Sequence, residues 1–200
     1  MILLAQYHQG RPPKTMIIIS DYELIEKTEK QVFYVRSMEQ PICPICKSDR
    51  LEVIGSRPRS CREKDGECTT LIIRRLRCEE CRKIHHELPY ILVPYKRYKS
   101  ECIEAVAEND NRKIQEIGCD ESTLHRWKKW FTSLSEHMAG SLQSIEAQMG
   151  KETEGTARPQ SALPGIWSYV GDAAGWLART VRALVNANLW VQTRSAFLSG

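Results

Sequence analysis

Four of the eight cysteines form two closely spaced pairs, and this spacing is typical of a metal site. Cys43 and Cys46 make one C-x2-C pair, Cys78 and Cys81 make the second, and 31 residues separate the two pairs. A tight turn lets both sulfurs of such a pair reach one ion at about 2.3 Å, and four thiolates suit structural zinc. Because four cysteines leave no open coordination position, the sequence predicts a structural Zn²⁺ ion that helps its segment to fold.

The sequence leaves alternatives open for these and the other thiols. The four paired cysteines could be free buried thiols, or one pair could be a redox motif, although a thioredoxin-type pair is expected beside a βαβ unit. Cys61 and Cys68 flank a predicted hairpin tip, where a second metal, a regulatory disulfide or ordinary side chains on facing strands are all compatible with the sequence. Cys102 and Cys119 suit buried thiols. One histidine of His85-His86-Glu87 could replace a cysteine ligand, but a surface or core position is favoured.

Short strands are predicted around the cysteine pairs. Runs rich in β-branched and aromatic residues predict strands at 16–19 and 32–35, within an N-terminal strand region of residues 1–40. Residues 41–99 are predicted to form a β zinc ribbon, since a hairpin brings its own ends, and therefore both cysteine pairs, together.

Within this ribbon, the hairpin is predicted from composition. A short strand covers residues 51–54, and a strong strand covers residues 69–77. The arginine-rich, glycine-containing stretch 56–67 between them is typical of a long turn region.

The hydrophobic pattern changes to helical spacing after residue 99. Residues 100–149 are predicted to form a helix-turn-helix with an extended third helix: one helix around Ile103 and Val106, a short helix that ends at Gly118, and a third helix with Asp120 as its N-cap. Leu124, Trp127 and Phe131 would hold this third helix to its partners.

Residues 150–162 are polar and predict a linker. Beyond it, apolar residues repeat in steps of three and four from Trp167 to Leu184, which predicts one amphipathic helix within residues 163–200. The fold class is therefore α+β, with a small β zinc ribbon followed by a helix-turn-helix and C-terminal amphipathic helices.

The third helix carries polar side chains that suit contact with DNA. In a helix-turn-helix the second helix of the motif enters the major groove and places its N-terminal residues on base edges. A small helical hairpin with a merely solvated polar face is the alternative. The predicted contact residues on this helix are Ser122, Thr123, His125, Arg126 and Lys129.

Positive charge is concentrated in the cysteine-bearing segment. The whole chain has a net charge of only +4. Residues 41–100 hold 14 basic and 8 acidic residues, an excess of six, next to the proposed recognition helix. Such a cluster is typical of a phosphate-binding surface, although each residue could also belong to a solvated face. The predicted DNA-contacting basic residues of this segment are Arg74, Arg75, Arg77, Lys96 and Arg97.

Several motifs follow one another in a fixed order: Cys43-Pro44-Ile45-Cys46, Arg77-Cys78-x-x-Cys81, His85-His86-Glu87-Leu88-Pro89, Pro94-Tyr95-Lys96-Arg97-Tyr98 and Ser122-Thr123-x-x-Arg126-Trp127. Over residues 41–131 this set resembles the zinc-ribbon plus helix-turn-helix head at the N-termini of bacterial insertion-sequence transposases. It resembles more closely a bacterial family of stand-alone proteins catalogued only as a domain of unknown function. The resemblance implies DNA binding, with the four cysteines as zinc ligands and Ser122, Thr123 and Arg126 at the reading positions.

The chain differs from a full transposase after the third helix. Strand transfer by that class uses three carboxylates that hold two metal ions in an RNase H-like fold. Only 69 residues and five acidic side chains follow Phe131, so catalysis is not expected.

The sequence thus predicts a zinc-stabilised DNA-binding protein, a transposase-derived accessory or regulatory factor without its own catalytic domain. The alternative is a zinc-ribbon adaptor for protein-protein interactions. A small hydrolase or oxidoreductase finds no supporting residue spacing.

Composition and charge pattern indicate the partners and the compartment. Apolar residues make up 42% and charged residues 27% of the chain, as in ordinary globular proteins. No run approaches the roughly 20 apolar residues that a membrane helix needs, and the start lacks a secretory signal pattern. We therefore expect DNA as the partner, no membrane, a reducing cytoplasmic location, and an amphipathic C-terminal helix that packs in the core or forms a homodimer.

Overall fold

The computed structural model describes residues 15–27, 31–150 and 161–190. Strands precede helices along the chain, in agreement with the predicted α+β class. The strands are β1 (Thr15–Ile19), β2 (Tyr22–Glu26), β3 (Val32–Ser37), β4 (Leu51–Arg62), β5 (Cys68–Cys78) and β6 (Ile84–Pro89). The helices are α1 (Ser100–Glu108), α2 (Asn111–Gln115), α3 (Glu121–Gln148), α4 (Ala162–Val170) and α5 (Trp176–Asn186).

One mixed sheet contains all of these strands. Strand β5 lies at its centre: β4 runs antiparallel along one edge of it, and β3 and β6 share the other edge. Strand β1 extends the sheet beyond β6 in parallel, and β2 pairs with β3 antiparallel. Cys78 at the end of β5 lies opposite Leu51 at the start of β4, so the hairpin brings the two cysteine pairs together as predicted.

The hairpin is longer and its tip shorter than expected. The stretch 56–67, predicted to be a turn region, is strand as far as Arg62 and pairs with β5 up to Cys68. The tip is closed by a hydrogen bond from the Glu63 N–H to the Glu67 carbonyl oxygen at 2.9 Å. This part of β4 contains three arginines separated by serine, proline and cysteine, and its pairing with the apolar residues of β5 outweighs the weak strand propensity of its own residues.

The hairpin tip packs directly against the turn that precedes α3. The Gly118 N–H donates to the Lys64 carbonyl oxygen at 2.7 Å, and a Cβ atom at Gly118 would lie only 2.6 Å from the Asp65 carbonyl carbon. Gly118 was expected to end the second helix, but α2 ends at Gln115. The glycine is required instead because two backbones approach each other here, which only a residue without a side chain permits.

Helix α3 begins where the sequence predicts. The Asp120 carboxylate accepts the Thr123 N–H at 2.8 Å, which is the predicted N-cap bond. Trp127, Trp130 and Phe131 are buried along one side, while Ser122 and Arg126 are exposed. No helix in the described ranges is long and apolar enough to cross a membrane.

The C-terminal segment forms two helices where one was predicted. Helix α4 ends at Val170, and α5 begins at Trp176 after Gly171 and Gly175, whose φ angles are 76° and 83°. These left-handed conformations interrupt the apolar repeat that predicts a continuous helix. Residues 151–160, which contain most of the predicted linker, and residues 191–200 lie outside the described residues.

Helix α5 is attached to the core of the same chain. The buried Glu104 carboxylate of α1 accepts the N–H groups of Gly175 at 2.8 Å and Leu177 at 2.9 Å, so it caps the start of α5. At the other end, the Asn186 side chain bonds both backbone groups of Ile18 in β1. The apolar side of α5 is therefore packed in the core of its own chain. A homodimer through this helix stays a prediction, and it would have to use a different face of α5.

Candidate functional site

The two cysteine pairs are held by turns of the same backbone geometry. The Cys43 carbonyl oxygen accepts the Lys47 N–H at 2.9 Å, and the Cys78 carbonyl oxygen accepts the Arg82 N–H at 3.0 Å. Both basic residues have positive φ angles, 62° and 59°, so each chain reverses just after its second cysteine. The repeated C-x2-C spacing predicts a tight turn at each pair, and a basic residue directly follows both pairs.

The four sulfur atoms converge on one point. The Sγ atoms of Cys43 and Cys81 are 3.6 Å apart, those of Cys46 and Cys78 are 3.4 Å apart, and all four lie within 4.8 Å of one another. Four bonds of about 2.3 Å to a tetrahedral ion require sulfurs about 3.8 Å apart. The cluster therefore fits one ion, and within the described residues it is the one group of His, Cys, Asp and Glu side chains that could hold a metal.

Burial affects the protonation of the cluster. Burial raises the pKa of the Cys43 thiol to about 12, so without a cation this sulfur keeps its proton at neutral pH. A bound cation stabilises the thiolate and displaces the proton, which couples metal binding to pH and to folding. The donor set, four sulfurs in near-tetrahedral positions, suits Zn²⁺ among the divalent ions, and the identity of the metal stays a prediction.

His85 lies beside the cluster and is not one of its four converging donors. Its Nε2 atom is 3.3 Å from the Cys43 Sγ atom, and its side chain is fully buried. Burial lowers the pKa of His85 to about 4, so the ring is neutral at pH 7 and can donate one N–H to the thiolate sulfur. A hydrogen bond of this kind orients a metal ligand and stabilises its charge.

Cys61 and Cys68 do not face each other across the hairpin. The strand register pairs Cys61 with Thr69, and Arg62 with Cys68, so the two thiols project from opposite faces of the sheet. Cys61 is buried and Cys68 is exposed. A second metal or a disulfide between these two residues is therefore inconsistent with the structure.

The predicted DNA-contacting residues of α3 share one exposed region. Ser122, His125, Arg126 and Lys129 are exposed, and Thr123 is partly exposed. The Arg126 guanidinium bonds the Ser122 carbonyl oxygen at 3.1 Å and the Thr123 hydroxyl at 2.9 Å, which holds it along the first turn of the helix.

The predicted basic residues of the ribbon fall into two groups. Arg75, Arg77 and Arg97 are at least partly exposed, as a role in phosphate binding requires. Arg74 forms a bidentate ion pair with the fully buried carboxylate of Glu87, at 2.6 and 2.7 Å. The Arg74 charge therefore compensates the buried acid Glu87, which lies on the neighbouring strand β6.

Lys96 is buried, contrary to the exposed position expected of a phosphate contact. Its Nζ atom lies 4.4 Å from the centre of the Trp130 ring, and only 6% of the residue is accessible. Burial, together with the nearby charge of Arg126, lowers the pKa of the Lys96 amine to about 7. Lys96 thus connects the segment between β6 and α1 to α3 through a cation-π contact.

One cavity lies away from the cysteine cluster. It has a volume of about 490 Å³ between the hairpin tip, α1, α2 and the start of α5. Its three lysines, Lys64, Lys99 and Lys113, each form an ion pair with a glutamate. These charges are therefore already compensated, and nothing in the lining favours a particular ligand.

Residues 43–127 match the model of a family described as Domain of unknown function (DUF6431). The match begins at the first cysteine of the cluster and ends in α3 at Trp127, so it covers the cluster, the hairpin and the turn before α3. This agrees with the expected similarity to a family of unknown function over residues 41–131. No curated protein and no solved structure matches the chain. The likeness to transposase heads stays a prediction.

Proposed function

We propose that this protein binds DNA through the first turns of α3 and the adjacent basic surface of the ribbon, and that a Zn²⁺ ion in the four-cysteine cluster holds the ribbon in shape. In this role it is a transposase-derived accessory or regulatory factor, and the DNA contact, not a reaction, is its activity.

One observation carries this proposal: the first two turns of α3 expose hydroxyl, imidazole and guanidinium groups, while the other side of the helix is buried. Trp127 and Phe131 fix the helix to the core, and Ser122, His125 and Arg126 remain exposed. Hydroxyl groups and arginine suit contacts to base edges and phosphates. The turn before the helix, residues 116–120, follows the short helix α2, an order typical of a helix-turn-helix.

The position of the ribbon supports a shared DNA surface. The hairpin tip contacts the turn before α3 through Gly118, and Lys96 contacts α3 through Trp130. The tip end of the hairpin therefore lies next to the turn that precedes the helix, whereas Arg75 and Arg77 lie towards the cysteine end of β5. Phosphate contacts from such residues fix the orientation of a protein on DNA, while the helix reads the sequence.

The test is a double substitution on the exposed face of α3. A duplex is first selected from genomic fragments with the zinc-loaded protein, and its affinity is measured by fluorescence anisotropy at several salt concentrations. Arg126→Ala with Lys129→Ala is expected to weaken binding about 10- to 100-fold, as loss of base and phosphate contacts does. The zinc content and the unfolding midpoint should stay unchanged.

A matched control separates a specific contact from loss of charge. Arg112→Ala with Lys128→Ala removes the same number of charges from exposed positions on α2 and on another side of α3. We expect less than a threefold loss for this pair. If both double variants lose the same DNA affinity, the loss comes from the change in net charge and not from a specific contact. If the first variant binds DNA as tightly as the wild type, the proposed role of α3 is refuted.

A specific observation also favours the adaptor as a second candidate. Ile42, Ile45 and Val53, on and beside the first cysteine turn, are 55%, 38% and 52% exposed. Exposed apolar side chains grouped in this way are typical of a protein-binding surface. The salt dependence of binding distinguishes the two candidates. DNA binding releases counterions, which becomes less favourable as the salt concentration rises, so the affinity for DNA falls steeply. Binding through apolar side chains does not depend on salt in this way.

A further inference from the structure

A small basic cavity lies on the face of the sheet formed by β4, β5 and β6. Alternation along β4 places Arg57 and Arg59 on the same face, and the cavity between them has a volume of about 90 Å³. His86 and Tyr95 line it together with apolar side chains. It is far smaller than the roughly 300 Å³ or more that a nucleoside-sized ligand requires, and it suits one small oxyanion.

The partners of the two arginines within the described part of the chain are not carboxylates. Neither Arg57 nor Arg59 forms an ion pair with an acidic side chain among the described residues. The Arg57 guanidinium is 3.2 Å from the His86 Nδ1 atom, and Arg59 donates to the Lys96 carbonyl oxygen at 2.5 Å. The Arg59 Nε atom is buried, and it has no hydrogen-bond partner among the residues that the structure describes.

This arrangement is costly without a negative ligand. Burial lowers the pKa of the Arg59 guanidinium, and the charges of Arg57 and Arg97 add to this effect. A guanidinium in a partly buried site is stabilised by an anion that accepts two of its N–H groups, and phosphate oxygens have the matching geometry. The carboxylate of Glu87 is not available for this purpose, because Arg74 holds both of its oxygens.

We propose that this cavity, the arginine pocket, binds a single phosphate group through the guanidinium groups of Arg57 and Arg59. The phosphate is a backbone phosphate of the bound DNA, an identification that rests on the proposed function. Free phosphate offers the same kind of oxygen acceptors to the guanidinium groups, so the experiment below tests the two sources separately.

The position of the pocket favours the DNA backbone. Arg59 bonds the carbonyl oxygen of Lys96, whose amine lies on the Trp130 ring of α3. Arg126 is one helical turn before Trp130 and is near enough to affect the charge of Lys96. The pocket is thus connected through one residue to the exposed start of α3, as expected for a site that holds a phosphate while the helix contacts bases.

Two measurements on the zinc-loaded protein test the pocket. The first is the thermal unfolding midpoint in inorganic phosphate and in chloride at equal ionic strength. The second is the salt dependence of binding to the selected duplex. For the wild type, phosphate is expected to raise the midpoint. Arg59→Gln should abolish that increase, weaken DNA binding about 10-fold and lower the slope of log K against log salt by about one.

Controls keep the result interpretable. Arg36→Gln removes an exposed arginine from β3 in the same sheet and should change neither measurement. If Arg59→Gln does not fold, as shown by its zinc content and circular dichroism, Arg57→Gln replaces it, since Arg57 has no such buried unpaired Nε atom.

The outcomes separate the pocket from the proposed function. Loss of both responses in the arginine variant supports the proposal. Phosphate stabilisation that depends on Arg59, in a protein that binds no DNA, would support the pocket and refute both the DNA source and the proposed function. DNA binding that is unchanged in Arg59→Gln, with no stabilisation by phosphate, would overturn the pocket and leave the proposed function intact.

Discussion

Replacing Gly118 by alanine tests how the hairpin tip is joined to the helices. The new Cβ atom would lie 2.6 Å from the Asp65 carbonyl carbon and closer still to the carbonyl oxygen, so no side-chain rotation could relieve the clash. Overpacking of this kind costs about 1–3 kcal/mol, and loss of the hydrogen bond from the Gly118 N–H to Lys64 adds about 1 kcal/mol. We expect the free energy of unfolding to fall by about 2–4 kcal/mol.

Urea denaturation followed by circular dichroism measures this change, and Gly140→Ala is the matched control. Gly140 lies inside α3, and a Cβ atom added there would meet no other atom within 4 Å. Alanine there should stabilise the protein by about 0.5–1 kcal/mol because glycine is a poor helix former. A Gly118→Ala protein as stable as the wild type would show that the tip and the turn are not in contact.

Two further predictions concern buried groups. Purified protein should contain one zinc ion per chain and should unfold when the zinc is removed by a chelator. Cys43→Ser should lose most of the zinc, whereas Cys61→Ser should keep it. A wild-type protein that is metal-free and fully folded would contradict the assignment. Lys96 has a pKa of about 7 in the folded protein and an ordinary value of 10.5, so the unfolded chain binds more protons between these pH values. The free energy of unfolding should therefore rise from pH 7 to pH 10, by at most about 4 kcal/mol, and Lys96→Met should remove most of that rise in urea titrations.

The cysteine cluster could be predicted from the sequence because its signal is local. A C-x2-C spacing defines each turn, and the apolar run of β5 identifies the strand that joins the second turn to the hairpin. The N-cap of α3 could be predicted for the same reason, since the Asp120 carboxylate accepts the N–H of a residue only three positions away.

The missing parts depend on contacts between distant residues. Strand β6 contains two histidines and a glutamate that are buried, and the acid is tolerated only because Arg74 compensates it from another strand. Lys96 was expected on the surface because nothing near it in the sequence indicates the Trp130 ring. By contrast, the break between α4 and α5 had a local signal, since Gly171 and Gly175 interrupt the apolar repeat.

Strand β4 has a consequence for how copies of the protein meet. Among the described strands it pairs only with β5, and it carries Pro58 midway along its length. Proline has no N–H group to donate, and it is tolerated on edge strands, where it prevents continuous pairing with a further chain. β-augmentation and sheet-to-sheet aggregation are therefore disfavoured along this edge of the sheet, so a partner must engage β4 through its side chains.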